Sequence, residues 1–346
     1  MNDSRKFTLG ATGDILLHKR VYKHAKKADE EFNFAPQLEN VRDLFDEVDL
    51  SIVNQESLIA GDALGLSDFP RFNSPSEISH TLKDMGVDIV SIANNHTLDF
   101  GEKGIFESIK KWEEIRMPYV GAYKSNEDFN TLRVFHKNGL RIGFLSLTKL
   151  MGKMKIPKEK KWIIDHFEGA NIIGASKKIR KIRSLDVIDV LIVSVHFGEE
   201  YHFRPTSIQE EISRSLSDAG ADVILGHHPH VLQPVEILYD SRGWDTFVAY
   251  SLGNFFTGQK GLFRQIGGFL NIEIEKPIGD NPVHFSNSKF TLTFCDMFDG
   301  YKMHKLKDYI EENHIIKTHK GEFNGKDAYE KMVTLLQSRL PNFNVQ

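Results

Sequence analysis

Five short polar runs hold most of the side chains in this sequence that could do chemistry. They are TGDILLH (Thr12–His18), NQES (Asn54–Ser57), ANNHTLDFG (Ala93–Gly101), VHFGEEYH (Val195–His202) and GHHPHVLQP (Gly226–Pro234). Together they offer the carboxylates of Asp14 and Glu56, the amide of Asn95 and the imidazoles of His196, His227 and His230. A two-metal hydrolytic centre needs this kind of set. Carboxylates neutralise the ions and one can bridge them, while neutral imidazoles hold each ion and leave a position open for water. An oxygen-rich shell with some imidazole suits Mn, Fe or Zn, and the lone cysteine, Cys295, lies outside every run. His96, next to Asn95, is placed to protonate a leaving oxygen or to grip a phosphate. Asn54, Asn94 and His228 are expected on the substrate side.

Each run also has a structural reading. Gly13-Asp14 is a common turn after a strand, and Asn54 or Glu56 could cap the segment that follows. Asn94-Asn95-His96 could be a helix cap with the next turn starting near Leu98, and His196 could be a packed core histidine. His227, His228 and His230 weigh most, because three imidazoles within four residues are costly to place without a partner. The joint occurrence of five such runs, each just past an apolar stretch, carries the argument.

Something must bring these distant residues together. Short apolar, β-branched runs predict strands at Phe7–Thr12, Leu50–Val53, Val87–Ala93, Leu132–His136, Arg141–Leu147, Val190–Val195, Ala221–Leu225 and Thr246–Ser251. Helical spacing marks Pro36–Glu47, Pro75–Met85, Glu102–Ile115 and Ile208–Ala219, with Gly86 and Gly220 at helix ends. Such alternation predicts an α/β fold, in which loops at the carboxyl ends of strands converge on one edge. The basic segment Met151–Lys161 reads as a loop, either a lid over the site or a plain solvated connection. The run KKIRKIR from Lys177 reads as an exposed helix face. From Pro277 the pattern changes to one more strand (Lys289–Phe294), a polar stretch and a closing helix near Ala328–Leu340. The expected division is a main domain over 1–276 and a packed extension over 277–346.

The chain has 346 residues, 40% hydrophobic and 27% charged, as in an ordinary soluble domain. Its 44 basic and 48 acidic residues give a net charge of −4, which argues against nucleic acid as a partner. One cysteine excludes an internal disulfide. No run is apolar and long enough for a bilayer span, and the residues between Met1 and Phe7 are polar or charged. The sequence as given therefore predicts a cytoplasmic protein.

The runs, in this order, resemble the CapA family of capsule and poly-γ-glutamate biosynthesis proteins, a branch similar to the calcineurin-like metallophosphoesterases. The likeness covers Gly10 to about Phe256 and is most specific at SIANNHTLDFG, GADVILGHHPHVLQPVE and YSLGNFF. It implies a layered sandwich of two β-sheets flanked by helices. By the same resemblance Asp14 is a ligand of one ion, and Glu56 stands where the phosphoesterases have a bridging aspartate. Asn95 and His96 match a ligand and a general acid, His196 the isolated histidine after a later strand, and His227 and His230 a Gly-His-x-x-His. This sequence departs from the pattern at Leu16, where a histidine is expected and the nearest imidazole is His18. It departs again at Thr97, which leaves Asp99 to orient His96. The implied function is phosphoester-type hydrolysis with two divalent ions, on an anionic small molecule or poly-γ-glutamate-like substrate, alongside other capsule synthesis proteins. A reading of another class stays open: a non-catalytic or weakly catalytic component that holds polyanions during polymer synthesis and export. Relatives are commonly anchored at the outer face of the membrane, which gives an extracellular alternative for location.

Overall fold

Alternation along single strands builds the layers. On the Leu50–Gln55 strand, Leu50 and Ile52 join one apolar cluster while Val53, pointing the other way, joins a second. On Leu140–Lys149, Ile142 and Phe144 face the first cluster and Leu145 and Leu147 a third. A strand buried on both faces in this way must lie in a sheet covered on both sides.

The computed structural model describes residues 4–28, 31–150, 155–279 and 281–346. Among these, two large sheets face each other across the first cluster. The nine-stranded sheet runs Lys302–Lys305, His284–Asp296, Ile266–Pro277, Ser4–Leu16, Leu50–Gln55, Ile89–Ser91 and Tyr119–Val120. Asn254–Thr257 pairs beside Ser4–Leu16, and Asn344–Val345 pairs beside His284–Asp296. The seven-stranded sheet runs Val235–Tyr239, Asp245–Ala249, Val223–His227, Val190–His196, Leu140–Lys149 and Arg133–Lys137, with His166–Phe167 alongside. Both are mixed sheets.

Helices cover the outer faces. Gly101–Glu114 lays Ile105, Ile109 and Trp112 on the larger sheet. Ile173–Ser184 and Ser207–Ala219 lay Ile179, Ile182, Ile212 and Leu216 on the smaller one. The result is the expected α/β sandwich of two sheets flanked by helices. Gly220 caps its helix at φ 112°, a conformation that favours glycine. The KKIRKIR run lies within Ile173–Ser184, with Ile179 and Ile182 turned inward and Lys177, Arg180 and Lys181 exposed.

Several elements differ from the expected ones. Pro36–Glu47 is broken into short turns, Ala35–Leu38, Glu39–Val41 and Asp43–Asp46. Strands at Val235–Tyr239, Asn254–Thr257 and Ile266–Pro277 were not evident in the sequence, and the segment after Pro277 adds strands to the larger sheet beside Ile266–Pro277. The expected loop Met151–Lys161 lies partly outside the described residues, at 151–154. Beyond them Lys158–Ile163 forms a 3-10 turn in which Lys160 pairs with Glu102. Between the sheets, Ser91 Oγ lies 2.7 Å from Ser146 Oγ and 2.9 Å from Ser194 Oγ, a buried polar tie that joins the two layers.

Candidate metal centre

Register places the chemistry. In the larger sheet Asp14 pairs with Asn54 on one side and with Asn254 on the other. In the smaller sheet His196 pairs with His227. All five are the last or nearly the last residues of their strands, except Asn254, which opens one. The pairing of Ser4–Leu16 slips just before and just after Asp14, so the strand bulges there. Gly13 permits this, since a Cβ at that position would stand 1.9 Å from the Gly253 carbonyl oxygen. Asp14 N donates to that same carbonyl at 2.9 Å, which locks the bulge.

Two overlapping sets of ligand atoms result. Asp14, Glu56 and His196 form one and Glu56, His228 and His230 the other, with the atoms of each set within 4.8 Å of one another. Glu56 belongs to both. Every one of these five residues is buried. His227 adds Nδ1 at 3.3 Å from Asp14 Oδ1, and His230 Nδ1 stands 3.0 Å from Asp14 Oδ2. His228 and His230 take positive φ values of 98° and 57°, the turn that aims both rings inward from the end of Val223–His227.

Burial and mutual charge set the protonation states. Burial opposes the charge of Asp14, but His227 and His230 outweigh it and hold its carboxyl well below the ordinary range. Burial raises Glu56 well above that range, with His230 opposing and Asp14, Glu200 and Asp99 reinforcing it. Burial keeps His196 neutral and takes His228 down to about 3. His230 is the exception: burial lowers it, yet Glu56 and Asp14 carry it up to about 9.

The polar atoms left without a hydrogen bond among the described residues test whether a cation fits. They include both carboxylate oxygens of Glu56, Oδ1 of Asn95, both ring nitrogens of His196, and Nδ1 of His227 and of His228. Two imidazole nitrogens flank Glu56 Oε1, His196 Nε2 at 3.5 Å and His230 Nε2 at 3.7 Å, too far for good hydrogen bonds. Unmade bonds on so many buried acceptors are costly. Divalent cations would satisfy them.

The remaining residues divide between the cluster and its surroundings. Asn54 Nδ2 donates to Asp14 Oδ1 at 2.8 Å. Asn94 is fully engaged in shaping its loop: its Oδ1 accepts from the His96 amide and its Nδ2 donates to the Gln55 carbonyl. His96 Nδ1 lies 2.8 Å from Asp99 Oδ2, and its ring packs edge-on against Phe72 at 4.7 Å. His18 sits apart on the cleft wall, near Gly258 N and Leu16 O, and burial lowers it to about 4. Asn254 was not foreseen. Its Oδ1 lies 3.0 Å from His230 Nδ1 and its Nδ2 reaches the His230 carbonyl at 3.2 Å, so it fixes that ring and its backbone together. The signal was the YSLGNFF run, in which an asparagine after a strand reads as no more than a turn. Cys295 is buried with its thiol pushed up to about 12, which leaves it inert.

Residues 8–259 match the family described as bacterial capsule synthesis protein PGA_cap, well over half of the sequence. The chain belongs to this family. Its relatives include the capsule biosynthesis protein CapA of Bacillus anthracis, 29% identical over 264 residues, covering 74% of this chain and 61% of that one. The PGA biosynthesis protein CapA of Bacillus subtilis (strain 168) is 29% identical over 237 residues, covering 68% and 58%. The chain thus spans about three fifths of the length of these relatives. Among solved structures, one from Thermus thermophilus aligns with a TM-score of 0.40 at 10% identity, over 81% of this chain and 98% of that one. The five polar runs all fall within the stretch that matches the PGA_cap family. No helix among the described residues is long and apolar enough to cross a membrane.

Proposed function

We propose that this PGA_cap-family chain hydrolyses a phosphoester or a related bond at a centre that holds two divalent cations and shares Glu56 between them. The observation that carries the reading is Glu56 itself: a buried carboxylate common to two sets of ligand atoms, with neither oxygen hydrogen-bonded. Asp14 and His196 would complete one position and His228 and His230 the other, with His227 and Asn95 adjoining. Such ions supply Lewis acidity and neutralise charge that develops on the reacting group.

The protein's own groups do the rest. Asp99 engages Nδ1 of His96 and leaves Nε2 to face the cleft, where it can hand a proton to the leaving oxygen. Phe72 holds Asp99 from behind, its amide donating to Oδ2 at 2.6 Å, and packs against the His96 ring. Asn54 and the His228 amide steady the Asp14 carboxylate, while Asn254 steadies His230. For substrate and partners the family resemblance implies an anionic molecule of capsule synthesis, handled together with other proteins of that process.

One observation favours the second reading, a polyanion-holding component of polymer synthesis and export with little catalysis. Leu16 stands at the place where the resemblance expects a histidine, and His18 faces the cleft wall instead of the ligand cluster. The two readings part on one experiment. Purified protein should contain divalent metal and hydrolyse p-nitrophenyl phosphate with Mn²⁺, and Glu56→Ala with His227→Ala should lose both. Metal without turnover selects the second reading, and wild-type protein that takes up no metal overturns the first.

A further inference from the structure

A cleft of about 280 Å³ opens from the buried cluster to solvent, with His96 and His230 on its inner wall. Its outer wall is cationic. Arg20, Lys260 and Arg264 line it, against Glu200 as the one acid of the lining. None of the three cations makes an ion pair among the described residues. In another arginine-lined hollow, of about 630 Å³ and away from the cluster, the arginines have acids in reach: Arg141 on Asp189 at 3.1 Å, Arg242 on Asp240 at 2.6 Å, and Arg183 on Asp222.

The unpaired cations are also held in place. The Arg264 guanidinium stacks over the Tyr201 ring at 3.6 Å from its centroid, and Tyr201 in turn lies 6.3 Å from the His230 ring. Stacking fixes the plane of a guanidinium while its N–H donors stay free. Arg20 packs its stem against Gly258, where a Cβ would come within 2.8 Å of it. Both arginines are half-buried and Lys260 is exposed. Cations partly desolvated without an acid partner are held at a cost that an incoming anion offsets. The same field extends to the hairpin of Ile315–Thr318 and Gly321–Asn324. At its turn His319 is held below its ordinary value by desolvation and then by Lys260, Lys320, Arg264 and Arg20.

The geometry points to a cleft that selects substrates with more than one oxyanion, the reacting group lying inside beside His96 and His230 and a further phosphate or carboxylate lying on Arg20, Lys260 and Arg264. This deepens the proposed function by naming its substrate class. It rests on that reading for the position of the reacting group, whereas anion binding on the rim requires no metal.

The test uses this difference. The full chain, stripped of metal with EDTA, is titrated calorimetrically with inorganic tripolyphosphate, with a tetraglutamate peptide and with inorganic phosphate. At least one of the two multivalent probes should bind ten-fold or more tighter than phosphate, and which one does so separates a phosphate from a carboxylate source. Removal of a charge-assisted contact weakens binding roughly 10- to 100-fold, so Arg20→Ala with Arg264→Ala should lose that much, and the exposed Lys260→Glu should weaken binding without risk to the fold. Because the metal is stripped throughout, binding on the rim is read independently of the metal centre. Multivalent probes that bind no tighter than phosphate would overturn the proposal. So would unchanged affinity in Lys260→Glu and in the folded double arginine variant.

Discussion

Glu56 should destabilise the protein without metal and stabilise it with metal, and Glu56→Gln separates the two effects. The carboxylate is 1% exposed and neither oxygen has a hydrogen bond. His230 offers partial compensation at 3.7 Å but is more closely engaged by Asp14 at 3.0 Å. A buried polar group left in this state costs about 1–3 kcal/mol. At about 2.1 cal/mol/K of unfolding entropy per residue, a chain of 346 residues converts that into a Tm difference of roughly 1–4 °C. The sign depends on pH. The folded protein holds the Glu56 proton well above the ordinary value near 4.5, mainly through burial, so as pH rises past that value the unfolded chain ionises first and the metal-free fold loses stability. Below it both states are protonated and the difference vanishes. In EDTA, Glu56→Gln should therefore melt above wild type at pH 8 and level with it at pH 4. With Mn²⁺ at about 100 times its Kd, wild type should gain about 2.7 kcal/mol and overtake the variant. Differential scanning fluorimetry in the two buffers reads both effects. A variant that melts below wild type in EDTA at pH 8, or an equal Mn²⁺ shift in both proteins, would refute the reasoning.

Three further outcomes follow from named contacts. His96→Ala should keep the metal and lower any hydrolytic rate by about 10²–10⁴-fold; loss of metal in that variant would make His96 a ligand. Asn254→Ala removes the group that fixes both the ring and the carbonyl of His230, so metal affinity should fall about 10- to 100-fold in a competition titration, and an unchanged affinity would contradict that positioning role. Ser91→Ala leaves the buried hydroxyls of Ser146 and Ser194 without their shared partner, which should cost about 1–3 kcal/mol and lower the urea midpoint; a midpoint at or above wild type would show that the tie contributes nothing.

The elements that were legible in the sequence had strong local patterns. Leu140–Lys149 and Val190–His196 are rich in apolar and β-branched residues, and Ser207–Ala219 has both its helical spacing and its terminal Gly220. Asn254–Thr257 was not legible, because four residues after a glycine carry no period and their strand exists only through pairing with Ser4–Leu16. Ile266–Pro277 was hidden by its charged end, where Glu273 and Glu275 face out beside Lys6. In the cluster, residue types pointed to Asp14, Glu56 and His230, but spacing alone could not place His228. Its backbone turns to φ 98°, and that turn sends its ring, with His230, to the same side as Glu56. The cationic rim was beyond sequence reasoning altogether, since Arg20 and Arg264 stand far apart in the sequence and line one cleft only in the folded chain.

The central claim is that Glu56 is shared between two cations. Crystals equilibrated with Mn²⁺ and measured at the manganese edge test it most directly. The account predicts two anomalous peaks flanking the Glu56 carboxylate, one against Asp14 and His196 and the other against His228 and His230. A single peak out of reach of Glu56, or none within the cluster, would contradict it.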